Sequence, residues 1–185
     1  MYASKAKSFI RKEIALLVKK SNTKNFLSLS NLNFDIEKVA IQKGIEVHSC
    51  ERDKNIFLKQ IEIAPKEVNL HLGEITELLS QKEFNFIWLD FCGNFSSQIV
   101  NCLNTLKLTQ PSNVIITLAM SRENKISQKE YNIDLQHRED SIIKILNRYG
   151  LYTEKIYRYV NNKMPMAVFF TKTHNITELI TIYQL

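Results

Sequence analysis

The chain has 185 residues, 44% of them hydrophobic and 24% charged. That is the mixture of one ordinary globular domain, long enough to bury about two thirds of its unfolded surface. With 4 Gly and 3 Pro, long flexible linkers are not expected, and no apolar run approaches the roughly 18 residues of a membrane span. A formal net charge of +6 and a pI near 9.2 suit a nucleic-acid partner but do not require one, since excess surface lysine gives the same balance.

Residues 3–20 form a predicted amphipathic helix, with Phe9, Ile10, Ile14, Leu17 and Val18 on one stripe. Lys5, Lys7, Arg11, Lys12, Lys19 and Lys20 interleave with the apolar residues, whereas a signal peptide places its charges before one unbroken apolar block. Residues 1–22 therefore read as a retained basic helix and 23–185 as one α/β domain. A short first strand, Phe26 to Ser30, leads through a polar turn to Asp35, which is placed to cap a helix ending near Gly44. The second strand, Ile45 to Cys50, ends at Glu51-Arg52-Asp53, and a helix over 54–63 stops before Pro65. Val68 to Leu72 is the third strand, followed by Gly73 and a short helix beginning at Glu74.

Phe84 to Leu89 is the strongest strand signal, and it ends at Asp90. Its unbroken apolar run predicts a strand covered on both faces, as in parallel sheets. Ser96 or Ser97 opens the next helix, and Asn113 to Met120 is the fifth strand. The polar stretch 121–137 reads as an irregular insertion, and a helix follows over 140–149. Tyr152–Val160 and Met164–Thr173 form an antiparallel hairpin across Asn161-Asn162-Lys163, and the last dozen residues carry little signal. The implied fold is an open, mostly parallel twisted sheet with helices on both faces and a C-terminal antiparallel hairpin.

Cys50, Cys92 and Cys102 form no CxxC pair, and three cysteines cannot complete a disulfide set, so a reduced, cytosolic setting is expected. His48, His71, His137 and His174 are scattered without metal-ligand spacing, and no metal site is expected. In an open parallel sheet, ligands bind beyond the C-terminal strand ends. Three successive ends here carry an acid: Glu51 or Asp53, then Glu74, then Asp90. Each has a plainer reading, because acids at a helix start are favoured by the helix dipole. Asp90 stands out, since a carboxylate at the lip of a Phe-Ile-Trp-Leu run is costly without a partner.

In the order of its elements and the placement of these acids, the chain resembles the class I S-adenosylmethionine (SAM)-dependent methyltransferases over about residues 25–173. The resemblance implies that SAM is the cofactor. It implies that Glu51, or Asp53, binds the ribose hydroxyls and that Gly73 and Glu74 lie at the adenine. Ser30, Asn31 and Asn33 would take the methionine end. Asp90 would be the catalytic group, orienting the acceptor, with Phe91, Gly93, Asn94 and Arg122 on the substrate side. The first turn, Leu29 to Asp35, departs from the family by lacking glycine, and Asp90-Phe91-Cys92-Gly93 lacks the prolines of enzymes that methylate exocyclic amines. The glycine-free turn favours the alternative of a methyltransferase-like binding or scaffold protein, while the missing GxGxxG argues against a dinucleotide-binding protein. The basic N-terminal helix and the 121–138 segment, with Arg122, Lys125, Lys129 and Arg138, are candidates for a phosphate-binding rim. Tyr131, Tyr149, Tyr152, Tyr157 and Tyr159 either stack on bases there or pack the hairpin.

Overall fold

The computed structural model describes residues 2–29, 32–91, 93–121, 125–173 and 181–185. The chain runs α1 (Tyr2–Lys20), β1 (Asn25–Ser28), α2 (Asp35–Gln42), β2 (Glu46–Glu51), α3 (Lys54–Ile63), β3 (Val68–Leu72) and α4 (Ile75–Gln81). It continues through β4 (Phe86–Asp90), α5 (Ser97–Thr109), β5 (Asn113–Ala119), α6 (Lys125–Tyr131), α7 (Arg138–Arg148), β6 (Tyr152–Asn161), β7 (Met164–Lys172) and β8 (Thr181–Gln184). One sheet has the order β3-β2-β1-β4-β5-β7-β6-β8. β1 to β5 are mutually parallel, and β7 is antiparallel to both β5 and β6. The expected sheet, with its reversed hairpin, is present. The hairpin turns on Asn162 and Lys163 with φ of 49° and 66°, the pair of positive values that matches the twist of a two-residue connection.

Two apolar layers flank the sheet, and β4 shows how one strand serves both. Ile87 and Leu89 pack with α4, α5 and α7 around Leu79, Leu103 and Leu146. Phe86 and Trp88 pack on the other face with Ile10, Ile14 and Val18 of α1 and Ile36 of α2. A strand feeding two cores reads as a continuous apolar run because both sets of alternating side chains are buried. The N-terminal helix is thus a structural layer of the domain. Tyr157 Oη reinforces it by donating to Glu13 Oε2 at 2.8 Å.

Several expectations are corrected. Phe9 stands at the margin of the α1 stripe, 43% exposed, with its edge against Tyr157. Asp35 is the first residue of α2 and not its cap. Asn33 Oδ1 accepts the Asp35 amide at 3.0 Å, and buried Phe34 occupies the cap position. The segment 121–137 contains α6, whose Tyr131 meets Phe95 edge-on at 5.4 Å and whose neighbour Ile133 enters the core. The C-terminal residues add β8, parallel to β6 at the sheet edge.

A polar network joins β2 to β3. His48 Nδ1 lies 2.8 Å from His71 Nε2, and His48 Nε2 lies 3.0 Å from Glu46 Oε1, which also meets Lys82 Nζ at 2.5 Å. One arrangement that satisfies both rings has His71 donating to His48 and His48 donating to Glu46. A further proton on His48 would then face the His71 N–H. Burial lowers the pKa of both rings below the ordinary 6.5, with Lys82 adding to the effect. The unfolded chain therefore binds more protons, so this stabilisation is present above about pH 6.5 and is lost as pH falls through the folded-state values. The expected result is a melting temperature that drops between about pH 7 and about pH 5, with a smaller drop in His48→Phe. Equal drops in the two proteins would contradict it.

Candidate functional site

The C-terminal ends of β3, β2, β1 and β4 open on one crevice of about 350 Å³. Glu51, Asp53, Glu74 and Asp90 all line it, so the acids expected at successive strand ends converge on one space. Leu29, Ile56, Ile75 and Phe91 supply apolar wall.

Glu51 ends β2, and its Oε1 accepts the Asp53 amide at 2.8 Å, which fixes the carboxylate across the turn. Asp53 caps α3, its Oδ1 accepting the amides of Asn55 at 2.8 Å and Ile56 at 3.2 Å. Each acid keeps one oxygen without a partner among the described residues, Asp53 being held by two helix amides and Glu51 by one. Gly73 adopts φ +152°, a conformation L side chains rarely take, and an added Cβ would sit 3.3 Å from Glu77 Oε2. Its amide donates to the Glu51 carbonyl at 3.0 Å, locking the second and third strand ends together.

Glu74 occupies the cap position of α4 but makes no cap bond. Its Oε2 instead accepts from Gln98 Nε2 at 3.0 Å, while Gln98 Oε1 accepts from Arg52 Nη1 at 2.9 Å. Arg52 and Gln98 both line the crevice and were not singled out from sequence. Gln98 sits in the first turn of α5, and nothing in the chain's linear order marks its approach to Glu74. Cys50 borders the same space, but burial pushes its thiol up to about 12, as it does for Cys102. Neither is a nucleophile at neutral pH.

Asp90 follows Trp88 by two residues and so faces the α1 side of the sheet. Burial raises its carboxyl above the usual range, opposed by the charges of Lys7 and Arg11 and by a hydrogen bond with Thr117. Phe91 lines the crevice; the Gly93 carbonyl accepts the Ala119 amide at 3.0 Å, with open space beside its Cα. Asn94 Oδ1 accepts from Ser121 Oγ at 2.8 Å and from Arg138 Nη2 at 3.4 Å. Arg138 is buried and donates to the Ala119 carbonyl at 2.8 Å, so it does not belong to a phosphate rim as expected. Tyr157 and Tyr159 are likewise buried in the hairpin, while Lys129 is exposed. Asn33 is engaged in its turn and lies away from the crevice lining. Ser30, Asn31, Cys92 and Arg122 fall outside the described residues. Among those described, no group of three His, Cys, Asp or Glu is placed to hold a metal, and no helix is long and apolar enough to cross a membrane.

No family model matches the chain, and neither does any curated protein. Solved structures do resemble it. A SAM-dependent methyltransferase from Agrobacterium tumefaciens superposes with a TM-score of 0.63 at 8% identity, covering 91% of this chain and 62% of its own. Magnesium protoporphyrin IX methyltransferase from Synechocystis, solved with SAH, gives 0.65 at 12% identity, covering 90% of this chain and 82% of its own. A putative RNA methyltransferase from Pyrococcus horikoshii gives 0.59 at 12%, covering 90% and 83%. At such identities the likeness shows the fold: the chain has the class I methyltransferase architecture.

Proposed function

We propose that the chain binds SAM in the crevice at the ends of β1 to β4 and transfers its methyl group to a nucleic acid. The observation that carries this reading is the convergence of Glu51, Gly73 and Glu74 on one space that Leu29, Ile56, Ile75 and Phe91 also wall. A volume of about 350 Å³ lies in the range of small-molecule sites. The free oxygen of Glu51, with two lone pairs, and the partly used one beside it suit two vicinal ribose hydroxyls as acceptors. Ile75 and Phe91 offer apolar surface to a flat base, with Glu74 and Gln98 at its polar edge.

Bound SAM would supply an electrophilic methyl on a sulfonium. The chain's own contribution is positioning. Asp90 would accept a hydrogen bond from the acceptor and aim its lone pair, with Phe91, Gly93 and Asn94 on the same side of β4 in sequence. Lys5, Lys12, Lys19 and Lys20 are exposed along α1 and give a nucleic acid an attractive field. That one similar structure is a putative RNA methyltransferase supports the same acceptor class.

The glycine-free first turn favours a second reading, a binding protein that keeps the fold without catalysis. Calorimetry with SAM separates the two: micromolar binding supports the enzyme, and no binding at millimolar SAM by folded protein supports the scaffold. Retention on RNA or DNA that weakens with salt tests the acceptor class. Asp90→Asn is expected to retain SAM affinity while methyl transfer to the retained nucleic acid falls by about 100-fold or more. Unchanged transfer would remove Asp90 from the proposed role.

A further inference from the structure

A second, smaller cavity lies on the other side of Asp90, between α1 and the sheet. Asp90 and Trp88 of β4, Thr117 of β5, Lys7 and Arg11 of α1 and Tyr159 of β6 border it. Asp90 lines both spaces, so the cavity adjoins the crevice at that residue.

Three observations define what it would take. Trp88 is 5% exposed, and its indole N–H is buried with no hydrogen-bond partner among the described residues. An orphaned buried donor costs about 1–3 kcal/mol, which an acceptor oxygen would relieve. Lys7 and Arg11 lie one helical turn apart, both half-buried and both close enough to act on Asp90. With Asp90 ionised, two cations against one anion leave one positive charge unmatched at the cavity. The volume of about 10 Å³ is room for a single oxygen atom, so the rest of any ligand must lie at the mouth.

We infer that this cavity is an oxyanion subsite, in which Trp88 Nε1 donates to one oxygen of a phosphate while Lys7 and Arg11 neutralise the group at the mouth. It deepens the methyl-transfer reading and rests on it, because the subsite would anchor a backbone phosphate beside the nucleotide presented to Asp90. Lys7, Arg11 and Trp88 are then positioning residues for the acceptor.

Trp88 is the only tryptophan in the chain, so its fluorescence reports on the site directly. The probe is inorganic phosphate, titrated without SAM at constant ionic strength against sodium chloride, with acetate as a second arm. A saturable change in Trp88 emission with phosphate is expected, weaker by about tenfold or more in Lys7→Ala and Arg11→Ala. Lys66→Ala, which alters an exposed lysine far along the chain, should titrate like the parent. If Arg11→Ala fails to fold, Lys7→Ala alone decides the matter. A response no different from chloride, or one unchanged in Lys7→Ala, would overturn the subsite, and acetate acting as well as phosphate would overturn the phosphate assignment. Calorimetry with SAM on the same proteins keeps the two failures apart. Lys7→Ala should bind SAM like the parent, and absent SAM binding beside a saturable phosphate response would sink the methyl-transfer reading alone.

Discussion

Glu51→Ala should weaken SAM binding by more than about 100-fold. Two hydrogen bonds to an ionised acceptor contribute about 1.5–3 kcal/mol each, and a loss of about 3 kcal/mol is more than two decades in Kd. The neighbouring acid provides the contrast. Asp53 also borders the crevice, but its Oδ1 is occupied by the amides of Asn55 and Ile56. Asp53→Ala should therefore cost about 1 kcal/mol of stability through the lost α3 cap and change SAM affinity little. Titration calorimetry on both variants, beside urea unfolding, checks the pair. The reverse pattern, with Asp53→Ala abolishing binding, would move the ribose contact to the other carboxylate.

The second large effect concerns α1. Ile14 is fully buried between the helix and the sheet, in the layer that holds Trp88 and Tyr157. Ile14→Ala removes three carbons from a packed interior and should destabilise the domain by roughly 2–4 kcal/mol. For a chain of this size that lowers the melting temperature by roughly 4–16 °C. Leu16, two positions on and 48% exposed, should tolerate Ala within about 0.5 kcal/mol. Because α1 carries Lys7 and Arg11 to Asp90, loss of its docking should also reduce any response at that cavity. A neutral Ile14→Ala would mean the helix is an appendage and would detach it from the proposed acceptor site.

The parts of this architecture that are legible in the sequence follow from local rules. The Phe-Ile-Trp-Leu run states that β4 is covered twice, and Asn162-Lys163 between two apolar segments states the hairpin. The acids are legible because they stand where strands stop, and parallel topology brings those stops to one rim. What was missed depends on distant partners. α6 is polar along its length and is secured by Tyr131 against Phe95, more than thirty residues earlier. Arg138 reads as a surface cation until the carbonyl of Ala119 is seen to receive it. The Arg52–Gln98–Glu74 chain joins two separate loops to α5, and no spacing rule connects them. Asp35 is the first residue of α2, after Phe34 at the cap position, and an Asx turn from Asn33 satisfies its amide from outside the helix. The Trp88 indole is identified by its missing partner, which only packing reveals.

The most direct test of the cofactor site is a crystal structure grown with S-adenosylhomocysteine at saturating concentration. The expected density places the ribose hydroxyls against the Glu51 carboxylate and the adenine beside Ile75 and Glu74. Ligand bound elsewhere, or well-ordered crystals with no ligand in the crevice, would contradict the assignment.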